Sequence, residues 1–224
     1  YTASALLRGH RRQTFDLGLS RTRKGRESMT KTVEFFYDFG SPTVYLAATQ
    51  LPSIAGSVGA TIDWRPMLLG GVFKSTGNQS PVVVPAKAAY MNDDLERFAK
   101  RYGVPFRFNP HFPINTLALM RGAVAYQADA VVSSTYREAI FTAIWVEARN
   151  LNEPDVIGQV LGDAGLDPAE LMNSIGEQTV KDQLIANTEE AVNRGVFGAP
   201  TFFVGDQMFF GQDRLDFVTE ALSG

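Results

Sequence analysis

Val33–Tyr45, V-E-F-F-Y-D-F-G-S-P-T-V-Y, decides the fold. Val33 to Phe39 is almost continuously apolar and aromatic, the composition of a central strand covered on both faces. Gly40 lets the backbone turn, Ser41 is a good helix N-cap, and Pro42 suits the first helical position. The stretch therefore predicts a strand, a tight corner, and a helix whose N-terminus opens beside Ser41. The free N–H groups and the dipole of such a helix start favour an anion. Taken alone, Ser41-Pro42 reads most simply as a helix cap, and the rest of the chain decides whether Ser41 does more.

Working outward, Thr43–Val58 places Val44, Ala47, Leu51, Ile54 and Val58 on one helical face, with a kink or break expected at Pro52. Ala60–Arg65 alternates, Ile62 and Trp64 against Thr61, Asp63 and Arg65, which predicts a strand. So short a βαβ span implies a parallel pair with a right-handed crossover. Strand signals return at Thr201–Val204 and Gln207–Phe210, which flank a Gly205-Asp206 hairpin turn. Asp213–Leu222 then closes as a helix.

Between these ends, Met67–Pro85 is expected to be a long loop, and long ordered loops are often functional. A helix follows over Lys87–Tyr102, stopped by Gly103. Phe106–Pro113 is irregular and aromatic. Asn115–Arg149 reads as two helices broken near Ala128–Val132. Shorter helices cover Pro154–Asp163, Pro168–Ile175 (with Asp167 as N-cap) and Glu177–Arg194. The order β-α-β, helices, β-β-α is an α/β, thioredoxin-like fold whose crossover carries a large all-helical insertion. The expected division assigns 30–86 and 190–224 to the thioredoxin-like domain and 87–189 to the insertion.

Composition narrows the chemistry. The 224 residues are 45% hydrophobic and 20% charged and include no cysteine. That removes disulfides, thiolate metal sites and any cysteine nucleophile supplied by the protein. Any thiol must arrive with a ligand, and disulfide exchange is excluded. No run of about 18 apolar residues predicts a membrane span. Residues 1–28 hold seven basic and two acidic side chains, and the remainder 14 basic and 22 acidic. The acidic body argues against general nucleic-acid binding. Met29 stands just ahead of the first strand. Residues 1–28 are accordingly expected to be a disordered basic leader that is not native, with a targeting leader as the alternative. His111 is the only histidine outside that leader and has no nucleophile partner in view, which speaks against a Ser-His-Asp hydrolase.

Three stretches carry a family resemblance. Phe39-Gly40-Ser41-Pro42 puts Ser41 and Val44 where thioredoxin-fold oxidoreductases carry their two cysteines. Val196-Phe197-Gly198-Ala199-Pro200-Thr201 resembles the cis-proline loop of that fold. Phe210-Gly211-Gln212-Asp213-Arg214-Leu215 opens the last helix. Together with Ser75-Thr76-Gly77-Asn78, Pro85-Ala86-Lys87 and Phe112-Pro113-Ile114-Asn115-Thr116, the chain from about Val33 onward resembles the 2-hydroxychromene-2-carboxylate isomerases. These are relatives of the kappa-class glutathione transferases.

The resemblance implies a cytoplasmic, homodimeric, glutathione-dependent isomerase of aromatic-hydrocarbon catabolism acting on a small aromatic carboxylate. Ser41 would hydrogen-bond the glutathione sulfur and favour the thiolate, which would add to the conjugated enone, allow rotation and leave. The backbone at Ala199-Pro200 would meet the cysteinyl unit. Gln212, Asp213 and Arg214 would take the γ-glutamyl end, and Asn78 and Lys87 the glycyl end. Each has a plainer role: Asp213 as a helix cap, Arg214 in a surface pair, Lys87 as a solvated side chain, Asn78 as a turn residue, Asn115 as a helix start. The hydrophobic stretch Met67–Phe73 and the aromatics of Phe106–Phe112 would wall the substrate or belong to the core. The competing functions are a kappa-like transferase or peroxidase for other electrophiles, and a non-catalytic thioredoxin-fold binding protein.

Overall fold

The computed structural model describes residues 31–224, so the expected leader at 1–28 lies outside the described residues. Strand β1 (Thr32–Tyr37) is central, as its unbroken apolar run requires, in a four-stranded sheet of order β2-β1-β3-β4. Helix α1 (Pro42–Ser57) crosses from β1 to β2 (Thr61–Pro66), which pairs parallel with β1 from Thr32 opposite Thr61 to Tyr37 opposite Pro66. β3 (Thr201–Val204) runs antiparallel on the other side of β1, and β4 (Gln207–Phe210) forms the outer hairpin strand. The opening Thr32–Tyr37 segment thus meets both halves of a thioredoxin-like sheet, as its sequence predicted.

Helices α3 (Pro85–Tyr102), α4 (Leu117–Ala125), α5 (Ala130–Trp145), α6 (Pro154–Asp163), α7 (Pro168–Ser174) and α8 (Gln178–Asn193) make up the inserted block. A single 3₁₀ turn at Gln212–Arg214 leads into the closing helix α9 (Leu215–Ser223). Pro52 lies inside α1, which continues past it. Asp167 caps α7 by accepting from the Ala169 N–H at 2.8 Å. Asn115 likewise accepts from the Leu117 N–H at the start of α4, at 3.2 Å. No helix among the described residues is long and apolar enough to cross a membrane.

The stretch after β2 departs from expectation. Met67–Pro85 is not one loop: Leu69–Thr76 is an eight-residue helix, α2, and Pro81–Val83 a 3₁₀ turn. Gly70 and Gly71 disguise the helix because glycine disfavours helix interiors. Packing overrides that preference. A Cβ on Gly71 would meet Thr188 Cγ2 of α8 at 3.1 Å, so the glycine lets the two helices approach. The Leu68 N–H donates to Thr188 Oγ1 at 3.0 Å and fixes the entry to α2.

One core runs through sheet and insertion together. Phe35, Tyr37 and Phe39 pack with Phe141, Tyr136 and Phe202. Trp145, fully buried on α5, donates from its indole to the Phe39 carbonyl at 2.8 Å, so the insertion pins the corner after β1. Gly122 gives α4 room beside α5: a Cβ there would stand 2.3 Å from the Tyr136 hydroxyl and 2.7 Å from Leu171 Cδ1. Overpacking at such a contact costs about 1–3 kcal/mol. Gly122→Ala is expected to lower the urea midpoint accordingly, with the unfolding slope unchanged.

Candidate functional site

The corner after β1 is built by short-range bonds. Asp38, buried, accepts the Gly40 N–H on one carboxylate oxygen at 2.9 Å and the Leu69 N–H on the other at 2.8 Å. It therefore ties the corner to the first turn of α2. Burial pushes the Asp38 carboxyl above the usual carboxylate range, against the opposing pull of the Leu69 and Gly40 N–H groups and the Thr116 side chain. Gly40 is needed for space rather than for a left-handed backbone: a Cβ would sit 3.2 Å from Thr116 Cγ2 and 3.3 Å from Asp38 Oδ1.

Ser41 caps α1, its Oγ accepting from the Val44 N–H at 3.4 Å. Its Oγ also hydrogen-bonds Thr43 Oγ1 at 2.8 Å, a pair in which either hydroxyl can donate. Both hydroxyls face the Ala199 carbonyl, each at 3.3 Å. Those last contacts are long for O–H donors, so the Ala199 carbonyl is held weakly, and the one short bond is that between the two hydroxyls. Val44, at the position corresponding to a second cysteine, is fully buried in the core.

Across from Ser41, the Ala199–Pro200 peptide is cis. Its loop is braced by Asn78, whose amide donates to the Phe197 carbonyl at 2.7 Å. The Gly211 N–H donates to the Pro200 carbonyl at 3.0 Å. Gly211 has φ 102°, a backbone that glycine alone adopts freely, and it opens the Gln212–Arg214 turn towards the same loop. The start of that turn leaves N–H groups without intrahelical partners.

These elements enclose a cleft of about 470 Å³. Ser41, Asn78, Ala199, Pro200, Gln212 and Asp213 all line it, so six residues scattered from 41 to 213 in the chain converge. Lys87 and Arg214 are not in the lining. Lys87 stands exposed on the first turn of α3, and Arg214 turns back to the Asp213 carboxylate beside it. The walls are largely apolar. Phe73 comes from α2, Met91 and Leu95 from α3, and Phe108 and Phe112 from the loop before α4. Of the other apolar residues in the stretches expected at the wall, Phe106 stacks on Tyr45 and Trp145, while Met67 joins the small core with Phe36 and Val72. His111 lies in a loop with its N–H on Asn109 Oδ1.

Asp38, Thr43 and Thr116 also line the cleft, beyond the residues that the sequence motifs point to as contacts. A signal existed for Asp38, a charge inside an apolar strand end three residues before Ser41. Thr43 shows only as a second hydroxyl in the first turn, and Thr116 arrives from a distant loop.

A serine at a helix start facing a loop with a cis proline, on this sheet, defines the class. Residues 32–223 match the model of the DSBA-like thioredoxin domain family. Over 199 residues the chain is 36% identical to the 2-hydroxychromene-2-carboxylate isomerase of Sphingobium xenophagum, covering 87% of this chain and 99% of that one. It is 29% identical to human glutathione S-transferase kappa 1, covering 87% and 92% of the two chains. A solved 2-hydroxychromene-2-carboxylate isomerase superposes with a TM-score of 0.77 at 30% identity, over 85% of this chain and 94% of that one. Within the DSBA-like thioredoxin proteins, the chain belongs to the 2-hydroxychromene-2-carboxylate isomerase family, beside the kappa-class glutathione transferases.

Proposed function

We propose that the chain is a glutathione-dependent isomerase interconverting 2-hydroxychromene-2-carboxylate and trans-o-hydroxybenzylidenepyruvate. One observation carries this reading: the Ser41 hydroxyl, at the start of a 16-residue helix and paired with Thr43, faces the Ala199 carbonyl at 3.3 Å inside an apolar cleft. The donor set fits a tripeptide thiol. The backbone beside Pro200 can pair with its peptide unit, Asp213 with its ammonium, and the N–H groups at Gln212–Asp213 with the γ-glutamyl carboxylate. Asn78 shapes the cysteinyl subsite through Phe197, while Lys87 and Arg214 contribute charge from the rim.

When bound, glutathione supplies a thiolate nucleophile able to add reversibly to the conjugated enone and free its double bond to rotate. Ser41 supports that chemistry by turning its O–H from the Thr43 and Ala199 oxygens towards the sulfur. A hydrogen bond to a charged group contributes about 1.5–3 kcal/mol, and the helix dipole about 0.3–1 kcal/mol. At 1.36 kcal/mol per unit, the thiol pKa falls by roughly one to three units. Thr43 keeps a partner for Ala199 while Ser41 turns. Phe73, Phe108 and Phe112 provide the flat apolar surface for an aromatic substrate and exclude water from it.

The experiment is a rate on 2-hydroxychromene-2-carboxylate with and without glutathione, run beside conjugation of chlorodinitrobenzene. Glutathione-dependent isomerisation outpacing conjugation is expected. A rate independent of glutathione removes the reading. A second function has one observation in its favour: among the described residues the cleft lining holds no Lys or Arg to pair a substrate carboxylate. That suits a kappa-like transferase acting on uncharged electrophiles, and faster conjugation than isomerisation would select it. Asn78→Ala is expected to raise KM for glutathione about threefold to tenfold, because one hydrogen bond to the loop is lost. Initial rates against glutathione concentration check this, with kcat little changed.

A further inference from the structure

α2 has two working faces. Leu69, Gly70 and Phe73 look into the cleft containing Ser41, while Leu68, Gly71, Lys74 and Ser75 line a second cavity of about 740 Å³ against α4 and α8. We propose that this second cavity binds a small organic anion, a carboxylate carried on an apolar body.

Charge is the first argument. Lys74, Arg121 and Lys181 meet in the cavity against a single carboxylate, Glu189, on a body that is otherwise acidic. Among the described residues, the basic partners in salt bridges are Arg65, Arg97, Arg149, Arg194 and Arg214. None of the three cations in the cavity is among them. The Arg121 Nε–H is shielded from solvent and has no hydrogen-bond partner. A buried donor without an acceptor is uncommon, and a guanidinium offers the planar fork that a carboxylate matches with two parallel bonds.

The walls supply the second argument. Leu117, Leu184, Val192 and the exposed Ile185 surround the cations with aliphatic surface. Inorganic ions would leave that surface in water, whereas an aryl or alkyl carboxylate covers it. Thr188 is not a free ligand group: it accepts from the Leu68 N–H and donates to the Leu184 carbonyl, so it holds the frame. The occupant would rest on the back of the helix whose front walls the glutathione cleft. The assignment does not depend on the glutathione reading.

Titration of the full chain with 1-naphthoate, followed by amide chemical shifts, tests the site. Shifts are expected to cluster on α2, α4 and α8 around Arg121 and to persist with millimolar glutathione present. The affinity should fall about tenfold in Arg121→Gln, by loss of a charge-assisted pair. Should Arg121→Gln fail to fold, the double variant Lys74→Gln/Lys181→Gln, at an exposed and a half-buried position, serves, with a loss of about threefold to tenfold. 1-Naphthalenemethanol, which keeps the rings and lacks the charge, should bind about tenfold more weakly. Shifts confined to the residues around Ser41, or affinity unchanged in the variants, would overturn the site. Phosphate binding as tightly as 1-naphthoate would overturn the ligand class.

Discussion

Ser41→Ala is expected to lower the glutathione-dependent kcat/KM by about 10- to 150-fold, the equivalent of a 1.5–3 kcal/mol hydrogen bond to a charged atom. The variant should still fold. Its cap to the Val44 N–H is long, 3.4 Å, and losing an N-cap costs about 1 kcal/mol. Thr43 keeps its own bond to the Ala199 carbonyl, at 3.3 Å, so the two sides of the cleft stay together. Glutathione itself should bind nearly as well, since the contacts proposed for it at Gln212–Asp213 lie away from its sulfur. The split is the diagnostic: a collapse in kcat/KM with binding preserved places Ser41 on the sulfur. Full activity in Ser41→Ala would reduce Ser41 to a helix cap.

Asp38→Ala should be the most damaging substitution for stability. It leaves the N–H groups of Gly40 and Leu69 without acceptors in a buried corner. Each of the two orphaned donors costs about 1–3 kcal/mol, so a loss of about 2–6 kcal/mol is expected at neutral pH. The loss should depend on pH in a defined direction. Burial raises the Asp38 carboxyl in the folded state, so the folded chain holds that proton more tightly than the unfolded one. The group's contribution is then fully present below the unfolded carboxylate pKa and declines as pH rises through the folded value. The stability gap between wild type and Asp38→Ala should therefore widen on acidification and narrow towards alkaline pH. Urea midpoints for both proteins at several pH values measure this; a gap that narrows on acidification contradicts the assigned sign. Because Asp38 links the Ser41 corner to α2, the variant should also lose activity at temperatures where it remains folded.

What the sequence made legible was what short-range rules govern. The run Val33–Phe39 predicts a central strand because aromatic and β-branched side chains without alternation need cover on both faces. Gly205-Asp206 between two short apolar runs predicts the hairpin of β3 and β4, and the structure has it there. Convergence of Ser41, Asn78, Ala199, Pro200, Gln212 and Asp213 was implied by family resemblance, since no local rule relates positions so far apart in the chain. Helix α2 stayed hidden because its two glycines argue against a helix, and only the contact with Thr188 reverses that preference. Asp38 sits in a run that reads as apolar strand, yet a carboxylate there needs partners; those partners come from Gly40 and from Leu69, thirty-one residues on. Family motif alone relates Lys87 and Arg214 to the ligand, and neither lines the cleft. Which way each points depends on helix rotation and on the nearest opposite charge, and for Arg214 the neighbouring Asp213 decides.

The central claim is that the protein contributes a thiolate-stabilising corner and glutathione contributes the sulfur. Titrating bound glutathione by its thiolate absorbance across pH tests it most directly. The account predicts an apparent thiol pKa about one to three units below that of free glutathione, and a return towards the free value in Ser41→Ala. No binding at millimolar glutathione, or a bound thiol that titrates like the free one, would contradict it.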